Sequence, residues 1–325
     1  MLRFGLIGCG EHSESGHAVP LARYKAEHPG EIELSAACDF NRERAEVFCR
    51  RYGFAKTYSD MREMIAREKL DGCVAVVPVP AISSVGSALL EGGIPCVIEK
   101  PLGSFISEVI ALRDAARATG TPNMVSVNRR FMPFLNRAIE WARNTGSLRY
   151  IRCTLTRHAR TEPEFLWTTA VHAVDSLRHI AGEVGEANIR SLKQSDRRAA
   201  WYAIDLLFKS DVVGRIDVLP TAGVLEETYE LIGEGFRAIV TSPFGPQRGW
   251  RAYRESRAVI EETAHGMSEE VLNGCYDETS EFIRALSQKR NPHPTIEDVF
   301  PSVDLCLKLA KEADQRTTTM SEFGS

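Results

Sequence analysis

The chain has 325 residues, enough for two domains of ordinary size, and its 43% hydrophobic and 26% charged residues are those of a globular protein. The formal net charge is −4, and no basic cluster tracks a phosphate backbone, so neither a nucleic acid nor an anionic membrane is an expected partner. No apolar run approaches the roughly 20 residues of a membrane span, and Met1–Phe4 leads straight into a strand, so no signal peptide is expected. The eight cysteines are scattered without a Cys-x-x-Cys pair. They read as reduced core residues of a cytoplasmic protein, with neither disulfides nor a metal site expected.

Up to Pro122 the chain alternates strand and helix. Leu2–Gly8 is a continuous apolar strand, His17–His28 has helical character, and Ile32–Cys38 is a second strand. Asn41–Tyr52 has helix chemistry with Asn41 as its cap. Thr57–Tyr58 reads as a short strand, Ser59–Glu68 as a helix capped by Ser59, and Cys73–Val77 as a β-branched strand. A helix over Ser83–Gly92, a strand over Cys96–Ile98, a helix over Ser107–Thr119 and a strand over Met124–Val127 complete the series. This alternation predicts a doubly wound parallel sheet with helices on both faces.

Beyond that point the pattern changes. A helix over Pro133–Asn144 and an early one over Val171–Ile180 accompany strand-like runs at Tyr150–Arg157, Ala187–Lys193, Trp201–Phe208, Val213–Val218, Glu227–Ile232 and Phe236–Thr241. That predicts an α+β domain with an open, mostly antiparallel sheet. Cys275–Ser287 and Ile296–Glu312 read as closing helices that can pack back on the first domain, and the polar tail Thr317–Ser325 is expected to fray. The expected boundary separates residues 1–122 from 123–325.

Gly8-Cys9-Gly10 lies between the first strand and a helix. In a dinucleotide fold the first glycine makes the tight turn and the second lets the backbone approach the pyrophosphate. His12 and the third small position, Ser13, follow in the same loop. Asp39 ends the second strand, where a carboxylate accepts bonds from an adenosine ribose and repels a 2′-phosphate. NAD is therefore expected over NADP, with Arg42 nearby softening the preference; a plain helix-cap role for Asp39 stays open. Glu99-Lys100-Pro101-Leu102 follows an apolar strand, so Lys100 stands at the carboxyl end of a parallel strand, in the crevice where open α/β sheets bind ligands.

With Asp39-Phe40-Asn41-Arg42-Glu43-Arg44-Ala45, Asn128-Arg129-Arg130-Phe131 and His172-Ala173-Val174-Asp175, these motifs resemble the Gfo/Idh/MocA family of NAD(P)-dependent sugar and inositol oxidoreductases. The resemblance implies an NAD(P)-binding Rossmann domain over 1–122 and a substrate-binding and oligomerisation domain over 123–325, whose sheet joins a homodimer or homotetramer. It implies that Lys100 contacts the reacting hydroxyl beside the nicotinamide and that His172 is the acid/base or a substrate ligand. Both roles are chemically sound, because a desolvated lysine and an imidazole titrate where a hydroxyl proton must be handled. Gly8, Cys9, Gly10, His12, Ser13, Asp39, Val77, Pro78, Glu99, Lys100 and Asn128 are the implied cofactor set. Lys100, Arg129, Trp167, Thr168, His172 and Asp175 are the implied substrate set. For His172 a packed helix histidine is the competing reading, for Asp175 a role at the domain interface, for Asn128 and Arg129 a surface loop, and for Trp167 and Phe165 a place in the core.

The chain also departs from that pattern. Thr168 stands where many members carry an Asp one helical turn before the histidine, Ser13 replaces the third glycine, and Val77 replaces a common Thr before Pro78. The expected function is hydride transfer between a nicotinamide cofactor and a secondary alcohol of a sugar, sugar derivative or inositol. The alternatives are an NAD-binding, sugar-responsive regulatory or binding protein without turnover, and a redox-assisted glycosidase or lyase with tightly held NAD.

Overall fold

The computed structural model describes residues 1–192 and 200–321. Its contacts divide it into two compact units, Met1–Asn128 with Cys275–Pro301, and Arg129–Gly274 with Ser302–Ser325.

The first unit is built on a six-stranded parallel sheet in the order β3-β2-β1-β4-β5-β6. Its strands are β1 (Leu2–Ile7), β2 (Ile32–Cys38), β3 (Lys56–Tyr58), β4 (Gly72–Ala75), β5 (Cys96–Glu99) and β6 (Asn123–Ser126). Phe4, Leu6, Leu34, Ala36, Cys73, Cys96 and Ile98 are all fully buried, the continuous apolar character of strands covered on both faces. The order reverses between β1 and β4, which makes that gap the topological switch point.

After β1 the chain is helical without a break: α1 (Glu11–Ser13), a π-helical turn over Glu14–Ala18, and α2 (Val19–Glu27). Pro20 stands at the start of α2 and has no N–H to give to the preceding turn. The helix α3 (Arg42–Tyr52) begins where the Asn41 side chain accepts from Arg44 N at 3.0 Å. In α4 (Met61–Arg67) the cap is Asp60, not the expected Ser59; its carboxylate accepts from Arg62 N and Glu63 N. One carboxylate oxygen serves two orphan donors here. β4 ends at Ala75, short of the expected Val77, and residues 76–78 separate it from α5 (Val79–Glu91), which has Pro80 in its first turn. α6 (Ile106–Thr119) follows β5.

The second unit carries α7 (Pro133–Thr145), β7 (Leu148–Thr156), α8 (Phe165–Thr168), α9 (Val171–Ala181), β8 (Val184–Leu192), β9 (Trp201–Phe208), β10 (Val213–Leu219), β11 (Glu226–Gly233), β12 (Phe236–Thr241), β13 (Gly249–Arg254), β14 (Arg257–Thr263) and α10 (Glu269–Leu272). Its sheet runs β14-β13-β12-β11-β7-β10-β9-β8. The β7–β10 pair is parallel and the other pairs are antiparallel. α7 and α9 pack on one face, over Ile151, Cys153, Ile216, Tyr229, Leu231 and Trp250. On the other face Arg190, Asp205, Arg215, Asp217 and Arg152 form a ladder of ion pairs across four strands. The expected strand end at Lys193 lies outside the described residues.

The chain then returns to the first unit with α11 (Cys275–Ser287), which packs on α2, and begins α12 (Ile296–Ser321) there. α12 runs through Pro301 and past the expected Glu312; of the tail Thr317–Ser325, expected to fray, residues 317–321 continue the helix and 322–325 lie outside the described residues.

Candidate functional site: a dinucleotide crevice and two buried charge clusters

At the carboxyl end of β1, Gly8 has φ +92°, and a Cβ there would stand 1.9 Å from Val76 O. Only glycine fits, because the backbone is left-handed and β4 crosses directly beside it. Gly8 N donates to Cys38 O at 2.7 Å, which ties the turn to β2. A Cβ at Gly10, in contrast, would meet nothing within 4 Å. The chain thus turns tightly once and then leaves an open cradle.

Asp39 braces this turn. Its Oδ2 accepts from Cys9 N and its Oδ1 from Asn41 N, both at 2.9 Å, and Arg44 Nη1 lies 3.7 Å from Oδ2. A carboxylate has about four lone-pair directions, so capacity for ribose hydroxyls remains beside these bonds. Burial pushes the Cys9 thiol well up, so it stays protonated and acts as packing.

A cavity of about 330 Å³ is lined by Gly8, Cys9, Gly10, Asp39, Val77 and Pro78. A second, of about 310 Å³, is lined by Gly10, His12, Ser13, Val77, Glu99 and Lys100. Gly10 and Val77 face both. Ser13 is fully buried and lines the second cavity. The open cradle and the bracing carboxylate suit a dinucleotide laid across the switch point.

Glu99 is 5% exposed. Its Oε1 accepts from His12 Nε2 at 2.9 Å and from His17 Nε2 at 2.8 Å, while Oε2 accepts from Lys100 N at 3.2 Å. Burial alone would raise its pKa, but the charges and hydrogen bonds of the two histidines hold it well below the usual carboxylate range. The sequence pattern gives His17 no role beyond opening the helix expected over His17–His28. Asn128, also buried, donates to Cys275 Sγ at 3.5 Å.

In the second unit, His172 lies buried on α9, with its backbone N–H donating to Thr169 O at 3.2 Å. Asp175, three residues on, is 1% exposed at its side chain. Arg130 grips it with two bonds of 2.7 Å and Ser302 Oγ donates a third, also 2.7 Å. Arg129 holds Glu227 through two bonds, of 3.0 and 2.9 Å, and Arg157 reaches the same carboxylate. Burial would raise the Glu227 pKa, but the two guanidiniums bring it down to about 2. Phe244 lies 5.4 Å from Arg129 Cζ and 5.3 Å from Arg157 Cζ. Thr168 Oγ1 bonds back to Glu164 O at 2.9 Å; Trp167 is half-buried and Phe165 fully buried. Arg157 and Glu227 carried no functional reading from sequence. Parity gave the missing signal: Glu227 shares the inward face of β11 with Tyr229 and Leu231, where an apolar residue is expected.

Residues 2–128 match the oxidoreductase family with an NAD-binding Rossmann fold. Among characterised relatives, D-apiose dehydrogenase of Paraburkholderia graminis is 27% identical over 101 residues, 31% of this chain and 27% of that protein. The 4-carboxy-2-hydroxymuconate-6-semialdehyde dehydrogenase of a Sphingobium species is 25% identical over 199 residues, 58% of this chain and 61% of that protein. The chain thus covers less than two thirds of either relative. The crystal structure of a dehydrogenase from Chromobacterium violaceum superposes with a TM-score of 0.86 over 99% of this chain and 98% of that one, at 17% identity, a likeness of fold. Among the described residues no helix is long and apolar enough to cross a membrane.

Proposed function

Because residues 2–128 match the oxidoreductase family with an NAD-binding Rossmann fold, we propose that the chain is a Gfo/Idh/MocA dehydrogenase moving a hydride between a nicotinamide cofactor and a secondary alcohol of a sugar, sugar derivative or inositol. The observation that carries this reading is the pair of adjoining cavities at the switch point, with the glycine turn and Asp39 in one and Lys100 in the other. The sugar-directed name of the Paraburkholderia relative supports the substrate class.

The roles follow from chemistry. Gly8, Cys9, Gly10, His12, Ser13, Asp39, Val77, Pro78 and Asn128 hold the dinucleotide, and Asp39 favours NAD over NADP by repelling a 2′-phosphate. When bound, the cofactor supplies the hydride acceptor. Lys100 and His172 handle the hydroxyl proton, as groups that titrate within reach of neutral pH when desolvated or paired. Arg129, Trp167 and Thr168 complete the substrate set, with Asp175 fixing α9 through Arg130.

The test is turnover of NAD by the purified protein against a panel of polyols, sugars, sugar acids and inositols. A substrate is expected, and Lys100→Ala and His172→Ala should each lower kcat by about 10²–10⁴-fold. Failure of the whole panel with both NAD and NADP would sink the proposal. Cofactor that survives gel filtration and cycles without net NADH would favour the redox-assisted lyase instead.

A further inference from the structure

We propose that His12 is a titrating ligand for the cofactor's pyrophosphate and that Glu99 is the positioning residue that holds it aimed and charged. The inference rests on the cofactor reading above and adds the device that tunes it.

Glu99 lies at the end of β5 and both histidines on the segment after β1, so one buried carboxylate fastens the glycine turn to the strand that carries Lys100. The π-turn makes this possible. His12 and His17 are five residues apart, which at 3.6 residues per turn places them about 140° apart around an α-helix. The i→i+5 bonds of a π-turn bring such residues toward one face. Val19 N donating to Glu14 O, five residues back, is one such bond, and both imidazoles reach the same Oε1.

An ionised carboxylate only accepts, so each Nε2 must carry its hydrogen. That leaves Nδ1 as the nitrogen of His12 that takes up or releases a proton. The two histidines differ in access. The His17 side chain is 3% exposed and serves as the anchor; that of His12 is 62% exposed and lines the cavity with Gly10 and Lys100. The contact that holds the Glu99 carboxyl low favours the charged imidazole in return. The other charged groups facing this cavity are Glu11, on the same turn as His12, and Lys100; β4 and α5 offer it only Val76, Val77, Val79 and Ile82. Protonated His12 therefore presents a cation to two phosphates, and its neutral form does not.

The sign follows: dinucleotide affinity is higher at low pH and falls as pH rises through the imidazole range. ADP-ribose is the probe, since it carries the pyrophosphate and lacks the nicotinamide. Calorimetry at pH 6 and pH 9 should show roughly tenfold tighter binding at pH 6, the scale of one charge-assisted hydrogen bond. His12→Gln should bind weakly at both values with no slope, and Lys100→Met should keep the slope. Glu99→Gln should flatten it while kcat and melting behaviour report any purely structural damage; if that variant does not fold, His12→Gln decides alone. A slope of wild-type size in His12→Gln overturns the inference while leaving the cofactor reading intact. No binding of ADP-ribose, NAD or NADH by the wild type at either pH overturns both.

Discussion

Glu227 is a single residue whose charge state the fold cannot do without. It is fully buried between Arg129 and Arg157, and its pKa is down to about 2 from an ordinary 4.5. A carboxylate with a depressed folded pKa contributes stability that is present above its unfolded value and lost as pH falls toward its folded one. The window here is therefore from about 4.5 down to about 2. At roughly 1.4 kcal/mol per unit, the contribution is on the order of 3 kcal/mol. Urea unfolding at pH 6.5 and pH 3 should show this loss in the wild type, and Glu227→Gln should be weaker at pH 6.5 with a shallower decline; equal slopes would remove Glu227 as the cause. Asp39 offers a second residue-scale expectation. Its carboxylate already braces Cys9 N, and it faces the cavity of about 330 Å³. Asp39→Asn keeps an acceptor for Cys9 N and removes the charge. The NADPH-to-NADH affinity ratio, read by nucleotide fluorescence, should rise at least about tenfold, because a charge pair near the surface is worth a few kcal/mol at about 4 Å. An unchanged ratio would mean that Asp39 does not select the cofactor.

At the scale of elements, one substitution just after β1 and one at the start of α3 should separate folding from binding. Gly8→Ala drives a Cβ into Val76 O from a left-handed backbone, so β1 or β4 must shift at the cavity itself. Loss of detectable NADH binding and a melting temperature lower by roughly 4 °C or more are expected. Asn41→Ala removes only the cap of α3, at a cost of about 1 kcal/mol, with NADH affinity kept within about twofold. If both variants bind alike, the glycine turn is not where the dinucleotide sits. The elements differ in how plainly the sequence announced them. The parallel strands were legible because burial on both faces makes them continuous apolar runs, as in Ile32–Cys38. β13 and β14 were not, since Arg251, Arg254, Glu261 and Glu262 leave only Trp250 and Ala252 as inward residues of β13 and none that is fully buried in β14. The π-turn was invisible for another reason: its effect is to change the period on which helix reading depends. The candidate site divides the same way. Glycine, Asp39 and Lys100 stand at strand ends that spacing locates, whereas the pairing of Glu99 with His12 and His17 joins residues more than 80 positions apart.

For the molecule as a whole, the outer face of the second unit's sheet bears on assembly. Arg152, Arg215 and Asp217 hold alternating charges across adjacent strands, with Asp217 only 12% exposed at its side chain. The hydrogen bonds that Arg215 donates to Asp205 and Asp217 hold its guanidinium above its ordinary pKa, so it is charged at any working pH. A face with both signs in fixed order can be self-complementary under a two-fold axis, each cation of one copy meeting an anion of the other. We propose that this face joins copies of the chain into a homodimer or homotetramer. Light scattering should return two or four times the chain mass of 36.1 kDa. Arg215→Glu places like charges beside Asp205 and Asp217 and should shift the population toward single chains, more strongly at low salt, where screening is weakest. Because Arg215 lies on a different unit from the dinucleotide cavities, the affinity for ADP-ribose should stay within about twofold of wild type. A wild-type mass of one chain across the micromolar range would end the proposal for this face and leave the cofactor site untouched.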